Sequence, residues 1–195
     1  EDRMTITEHT YVPNAIDGTE SKLIFAFLKA YVPWVKRDST PRKECWMNDF
    51  GRPYTYGSGK GVRTYEASPY DNIVLEIRKR LNDAGYGYFE GCFPNLYEGE
   101  RDHLGWHADD DPGIDHTKPI AVVSFGAERA IQVRPKLEYG MGLLKATEAS
   151  KTFMLESGSL FIMPAGSQFT HEHRIPKVGE KTGERISLTF RGLVP

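Results

Sequence analysis

Apolar residues fall at helical spacing in two stretches of this chain and at strand spacing in most of the remainder. In SKLIFAFLKAY, residues 21–31, Leu23, Ile24, Phe27 and Leu28 repeat at i, i+1, i+4, i+5, one face of an amphipathic helix. Pro33 ends it, because proline has no N–H to donate and its ring clashes with the preceding turn. In the second stretch Ile73, Val74, Ile77 and Leu81 form the stripe. Ser68 is the expected N-cap, Pro69 the first helical residue, Asp71 the return partner of a capping box, and Gly85 the stop. Beyond Gly85 the period shortens: YGYFEGCFPNLY, PIAVVSFGA, AIQVRPK, KTFMLES, GSLFIMPAG and RISLTFRGL read as short strands separated by Gly, Pro and Asp. That spacing predicts a sandwich or jelly roll. Between the two helices a Gly-, Pro- and Tyr-rich segment, PRKECWMNDFGRPYTYGSGKGVRTYEASP, reads as turns and short strands. The expected class is α+β, mainly β, as a single domain over 1–195, with a helical extension through residue 85 and a β core over 86–195.

Composition narrows the partners. With 195 residues and 39% hydrophobic content the chain can bury a sizeable core. Its 25 Lys+Arg nearly balance 27 Asp+Glu, so no global basic excess holds a nucleic acid, and any such contact must be local. Cys45 and Cys92 lack CxxC spacing, which reads as two free thiols in a reducing compartment, cytoplasm or nucleus. No apolar run approaches the roughly 18 residues of a membrane span and EDRMTITEH is not a signal peptide, so an intracellular monomer without a membrane partner is expected.

Chemistry concentrates in GWHADDDPGIDH, residues 105–116. If this stretch is a strand, His107 and Asp109 point to one side and can chelate one ion. Imidazole and carboxylate suit a divalent metal, and a third ligand from FTHEHRIP, either His171 or His173, completes a facial triad of the kind that leaves iron(II) open positions. An isolated HxD is common by chance, so the last strand matters more. In RISLTFR, Arg185, Ser187, Thr189 and Arg191 share one face and Ile186, Leu188 and Phe190 the other. Two guanidinium groups on one face can hold both ends of a small dicarboxylate. Asn95 and Tyr97 of NLY share a face and can add neutral hydrogen bonds.

These motifs, NLY, WHADDDP, PIAVVSFGA, HRIPK and RISLTFR, resemble in order and spacing those of the AlkB-type iron(II) and 2-oxoglutarate dependent nucleic acid dioxygenases. PRKECW and PYTYG resemble that family's recognition segment, so the likeness runs from about residue 41 to residue 191; the first 40 residues match too loosely to carry anything across. The resemblance implies a double-stranded β-helix, or jelly roll, with N-terminal helices and a nucleotide-recognition segment. It implies His107, Asp109 and His173 as Fe(2+) ligands, with Arg185 and Arg191 on the carboxylates of 2-oxoglutarate and Asn95, Tyr97 and Ser187 assisting. Ser187 departs from the Asn found in many relatives, and His171 from a more usual aromatic. With O2 the implied reaction is oxidative dealkylation of N-alkylated bases, such as 1-methyladenine and 3-methylcytosine, in DNA or RNA. This is direct-reversal repair that releases formaldehyde.

The base must leave its stack to react. The resemblance places Tyr56 and the His107 ring as its stacking walls, with Tyr54 and Arg42 near the base or its phosphates. Asp111 reads equally as a base-edge acceptor or a turn residue before Pro112. Lys36, Arg37, Arg42, Lys43, Arg52, Lys60 and Arg63 suggest a phosphate-contacting rim. The short connection ahead of PRK disfavours a strand-separating hairpin, so single strands are the expected substrate. Two other readings keep the triad: hydroxylation of a base or protein side chain, and a zinc-dependent hydrolase, which leaves both arginines without a role.

Overall fold

The computed structural model describes residues 3–57, 59–136 and 150–195. Two antiparallel sheets dominate it. The larger contains β1 (Thr10–Val12), β2 (Val35–Lys36), β3 (Lys43–Glu44), β4 (Met47–Asn48), β7 (Gly91–Tyr97), β9 (Ile120–Gly126), β12 (Leu160–Met163) and β14 (Arg185–Arg191). Its order is β1-β12-β9-β14-β7-β3-β2, with β4 also on β7. The smaller sheet, in order β11-β10-β13-β8, holds β8 (Leu104–His107), β10 (Arg129–Pro135), β11 (Lys151–Leu155) and β13 (His171–Ile175). A separate hairpin pairs β5 (Tyr54–Tyr56) with β6 (Arg63–Tyr65).

Strand alternation sorts the large sheet into two faces. Leu96, Val123, Ile186, Leu188 and Phe190 point outward and pack with helix α1 (Gly18–Tyr31) and helix α2 (Asn72–Asp83) through Ile24, Leu28, Val74, Ile77 and Leu81. The opposite face meets the small sheet, where Val122, Phe161 and Met163 pack with Ile131, Val133, Leu155 and Ile175. Burying these side chains is worth about 1.5–3 kcal/mol each, which is why register is strongly specified: a slip of one residue would bring Arg185 and Arg191 out among the helices.

Both helices start elsewhere than expected. The first begins three residues early, because the Asp17 carboxylate accepts from the Thr19 and Glu20 amides, both at 3.0 Å. Its stripe is only half used: Ile24 and Leu28 are buried, whereas Leu23 and Phe27 are 69% and 41% exposed. The second helix is capped by Asp71, which accepts from the Ile73 amide at 2.7 Å, and not by Ser68. Ser68 is already engaged with the Trp46 carbonyl at 2.7 Å, bridging to the β4 edge, so Pro69 lies outside the helix. Gly85 closes it as expected, with φ +90°. The strand carrying His107 also stops there, so Asp109 lies beyond it and alternation does not place that carboxylate.

Candidate metal and anion centre

His107 ends β8 and faces His173 of β13 as its register partner, their rings 4.2 Å apart. Asp109 reaches them from the following loop. Its amide donates to Gln168 Oε1 at 2.9 Å, and its Oδ2 accepts from Arg191 Nη2 at 3.0 Å. Ligand atoms of the three residues lie within 4.8 Å of one another. His107 Nδ1 lies 2.8 Å from the Gly105 carbonyl, which places a proton on Nδ1 and leaves the Nε2 lone pair facing Asp109. Burial pushes the His107 imidazole down and the His173 imidazole down to about 3, so both are neutral. Burial alone would raise Asp109, but the Arg191 guanidinium, which donates to it, pulls it below the usual carboxylate range. Two neutral nitrogens and one carboxylate make a donor set for a divalent ion.

The same cavity, about 560 Å³ with its open mouth, is walled by Arg185, Ser187, Thr189 and Arg191 from β14 and by Phe93, Asn95 and Tyr97 from β7. Arg185 is fully buried, donates from Nη2 to Ser124 Oγ at 2.9 Å, and has no partner for Nε or Nη1. Burial draws its pKa down to about 10, and no acidic side chain among the described residues offsets that. Arg191 also keeps Nε and Nη1 unpaired. Buried cations with unused donors are rare, and they mark a place for an anion.

The expected recognition residues divide. Tyr54 and Tyr56 line the cavity, stacked at 6.1 Å, and burial raises the Tyr54 hydroxyl to about 12. Arg42 lines it too, but at 3% exposure it cannot belong to a phosphate-contacting rim. Its guanidinium is held by Asn95, His103, Glu44 and Tyr56. Asp111 lies outside the cavity wall: its carboxylate accepts from the Gly113 amide at 2.6 Å, the turn alternative. His171 meets Thr170 Oγ1 and the His9 ring rather than the triad. Sequence reading passed over Gln168, Ser124 and Glu44, polar residues in apolar or turn contexts that carry no local signal.

The family model described as the 2OG-Fe(II) oxygenase superfamily matches residues 9–191. The chain belongs to this superfamily. As a member, it is similar to the alpha-ketoglutarate-dependent dioxygenase alkB homolog 3 of Bos taurus, 34% identical over 193 residues that cover 94% of this chain and 65% of the relative. The DNA oxidative demethylase ALKBH2 of Arabidopsis thaliana is 27% identical, covering 93% of this chain and 65% of the relative. The chain thus spans about two thirds of the length of these curated relatives. The solved structure of OsALKBH1 matches with a TM-score of 0.65 at 15% identity, covering 96% of this chain and 100% of that one, a likeness of fold. The side chains fit the iron and 2-oxoglutarate that the superfamily's description implies: a His-Asp-His donor set suited to a divalent ion, and beside it two buried guanidinium groups with free N–H donors suited to a dianion.

Proposed function

We propose that this oxygenase-superfamily chain is an AlkB-type dioxygenase that removes alkyl groups, such as those of 1-methyladenine and 3-methylcytosine, from single-stranded DNA or RNA by direct reversal. The observation that carries this reading is the meeting of the His107, Asp109 and His173 donor set with the unpaired guanidinium groups of Arg185 and Arg191 in one cavity. His107, Asp109 and His173 hold Fe(II). Arg185 and Arg191 hold the two carboxylates of 2-oxoglutarate, with Asn95, Tyr97 and Ser187 assisting. When bound with O2, iron and 2-oxoglutarate supply oxidation of an N-alkyl C–H bond, with succinate and carbon dioxide as co-products.

The chain supplies position and dryness. Phe93, Val122 and Met163 give the cavity an apolar floor that keeps water from the reacting carbon. Arg191, bonded to Asp109, holds the metal carboxylate and the co-substrate in one frame. Tyr56 and the His107 ring form the walls between which an unstacked base rests, with Tyr54 beside it, an interaction worth about 1–3 kcal/mol. The hydroxylated alkyl group then leaves nitrogen as formaldehyde without a protein nucleophile.

The rest of the reading is a single jelly-roll domain acting as a monomer in a reducing intracellular compartment, where Cys45 and Cys92, both buried, stay free thiols. No helix among the described residues is long and apolar enough to cross a membrane.

The test is formaldehyde release from methylated single- and double-stranded DNA and RNA oligomers, with His107→Ala as control. Release that favours single strands and vanishes in the variant supports the proposal. Consumption of 2-oxoglutarate without formaldehyde from any oligomer replaces dealkylation by hydroxylation. Turnover with zinc and without 2-oxoglutarate replaces it by hydrolysis.

A further inference from the structure

The β5–β6 hairpin that carries Tyr54 and Tyr56 forms its own two-stranded sheet and shares no backbone ladder with the large sheets. An isolated hairpin is marginally stable, so its position depends on side-chain ties. Two of them converge on a buried ion pair. Tyr65 donates its hydroxyl to Glu44 Oε1 at 2.7 Å, and Tyr56 accepts at its hydroxyl from Arg42 Nη2 at 2.9 Å. Arg42 and Glu44 meet at 3.2 Å with 3% and 0% exposure.

Arg42 also reaches the other side of the cavity. Its Nε donates to Asn95 Oδ1 at 2.9 Å, and its Nη1 donates to the His103 carbonyl at 3.0 Å, just before the His107 strand. A guanidinium can only donate, so it selects the oxygen of the Asn95 amide and thereby fixes which way that amide points. The Asn95 Nδ2 donor is left with only a long 3.4 Å contact to the Phe93 carbonyl, on a residue that lines the anion cavity. An anion that accepts from Nδ2 polarises the amide and makes Oδ1 a stronger acceptor for Arg42, since hydrogen bonds in a chain reinforce one another at low dielectric. The guanidinium whose orientation is fixed in this way is the one that holds Tyr56, so the coupling to the aromatic wall is one of position.

We propose that Arg42 is a positioning residue that couples the two halves of the cavity, so that 2-oxoglutarate bound against Asn95 orders the Tyr56 wall and the two substrates bind cooperatively. This rests on the function proposed above. Coupling is reciprocal: a base seated on Tyr56 holds Arg42, and Arg42 holds the Asn95 amide ready for the carboxylate.

The experiment measures 2-oxoglutarate affinity of the Mn(II)-loaded chain by titration calorimetry. It is run with and without a saturating single-stranded oligonucleotide containing 1-methyladenine. The ratio of the two affinities is taken within each variant, so a uniform loss of affinity or stability cancels. Wild type is expected to bind 2-oxoglutarate about fivefold or more tighter with the oligonucleotide present. Tyr56→Phe keeps the ring and removes the hydroxyl that Arg42 holds, and its ratio should fall to near unity. Thr55→Val cuts the hairpin's own 2.8 Å bond between the Thr55 and Thr64 hydroxyls and should keep the wild-type ratio. A wild-type ratio of one, a Tyr56→Phe ratio equal to wild type, or a Thr55→Val ratio near one overturns the coupling while leaving the oxygenase reading standing. Failure of 2-oxoglutarate to bind at all overturns both. Failure of the oligonucleotide alone to bind overturns the coupling and the choice of substrate.

Discussion

Arg191 donates to Asp109 at 3.0 Å across 82 positions of sequence, so the last strand of the large sheet steadies the carboxylate of the metal triad. Loss of this contact should weaken two affinities at once. Arg191→Leu is expected to lower Fe(II) affinity by about 10–100-fold, the usual cost of removing a group that orients a metal ligand. It should lower 2-oxoglutarate affinity as well. Metal titration with and without 2-oxoglutarate separates the two losses. An unchanged metal affinity would show that Asp109 needs no support from Arg191.

Arg185 makes the opposite kind of prediction for stability. Its guanidinium is buried with two donors unpaired, and burial without an anion disfavours the folded state. Arg185→Met should therefore raise the thermal stability of the ligand-free protein by about 1 kcal/mol or more. The same variant should lose the upward shift in Tm that 2-oxoglutarate gives wild type. A stability lower than wild type in the absence of ligand would contradict the argument.

Acid should unfold the metal-free protein through its histidines. His173 falls from 6.5 to about 3 on folding, so between those values the unfolded chain binds a proton that the folded chain refuses. Stability is then present above about pH 6.5 and lost as pH falls toward 3. Lowering the pH from about 7.5 to about 5 should cost on the order of 1–2 kcal/mol from this one imidazole. His9, lowered to about 4 first by burial and then by His171 and Lys151, adds in the same direction. The check is Tm against pH for wild type and His9→Gln: the variant should show the shallower decline on the acid side.

Trp106 stands on the outer side of the small sheet with the Arg134 guanidinium 3.9 Å and the Arg174 guanidinium 4.7 Å from its ring. It thus ties β8 to β10 and β13 beside His107. Removing two cation–π contacts in Trp106→Ala should cost about 1–3 kcal/mol of stability. Fe(II) affinity should fall more than in a surface control such as Lys79→Ala, because the strand that carries His107 loses its clamp. Urea unfolding and metal titration read the two effects.

Legibility followed the range of the physics. The face shared by Arg185, Ser187, Thr189 and Arg191 was visible because strand alternation is local, and all four do line the cavity. Asp109 was placed by the same rule although its strand ends at His107. What positions it is Gln168 and Arg191, contacts that no local pattern records. Leu23 and Phe27 satisfied the helical period yet face solvent, since periodicity names two candidate faces and only packing selects one.

Composition and periodicity by themselves determined the helices, the run of strands, and the residue types able to bind a divalent ion and a dianion. They did so because side-chain direction in a strand or helix follows from the backbone over a few residues. Periodicity left three things to the tertiary structure. His173, not His171, pairs with His107, because β8 and β13 meet in one register. Asp111 supports its own turn, because the Gly113 amide donates to its Oδ1. Arg42 leaves the expected surface rim for the cavity wall, where Glu44, Asn95, Tyr56 and the His103 carbonyl replace the water that burial removes from its guanidinium.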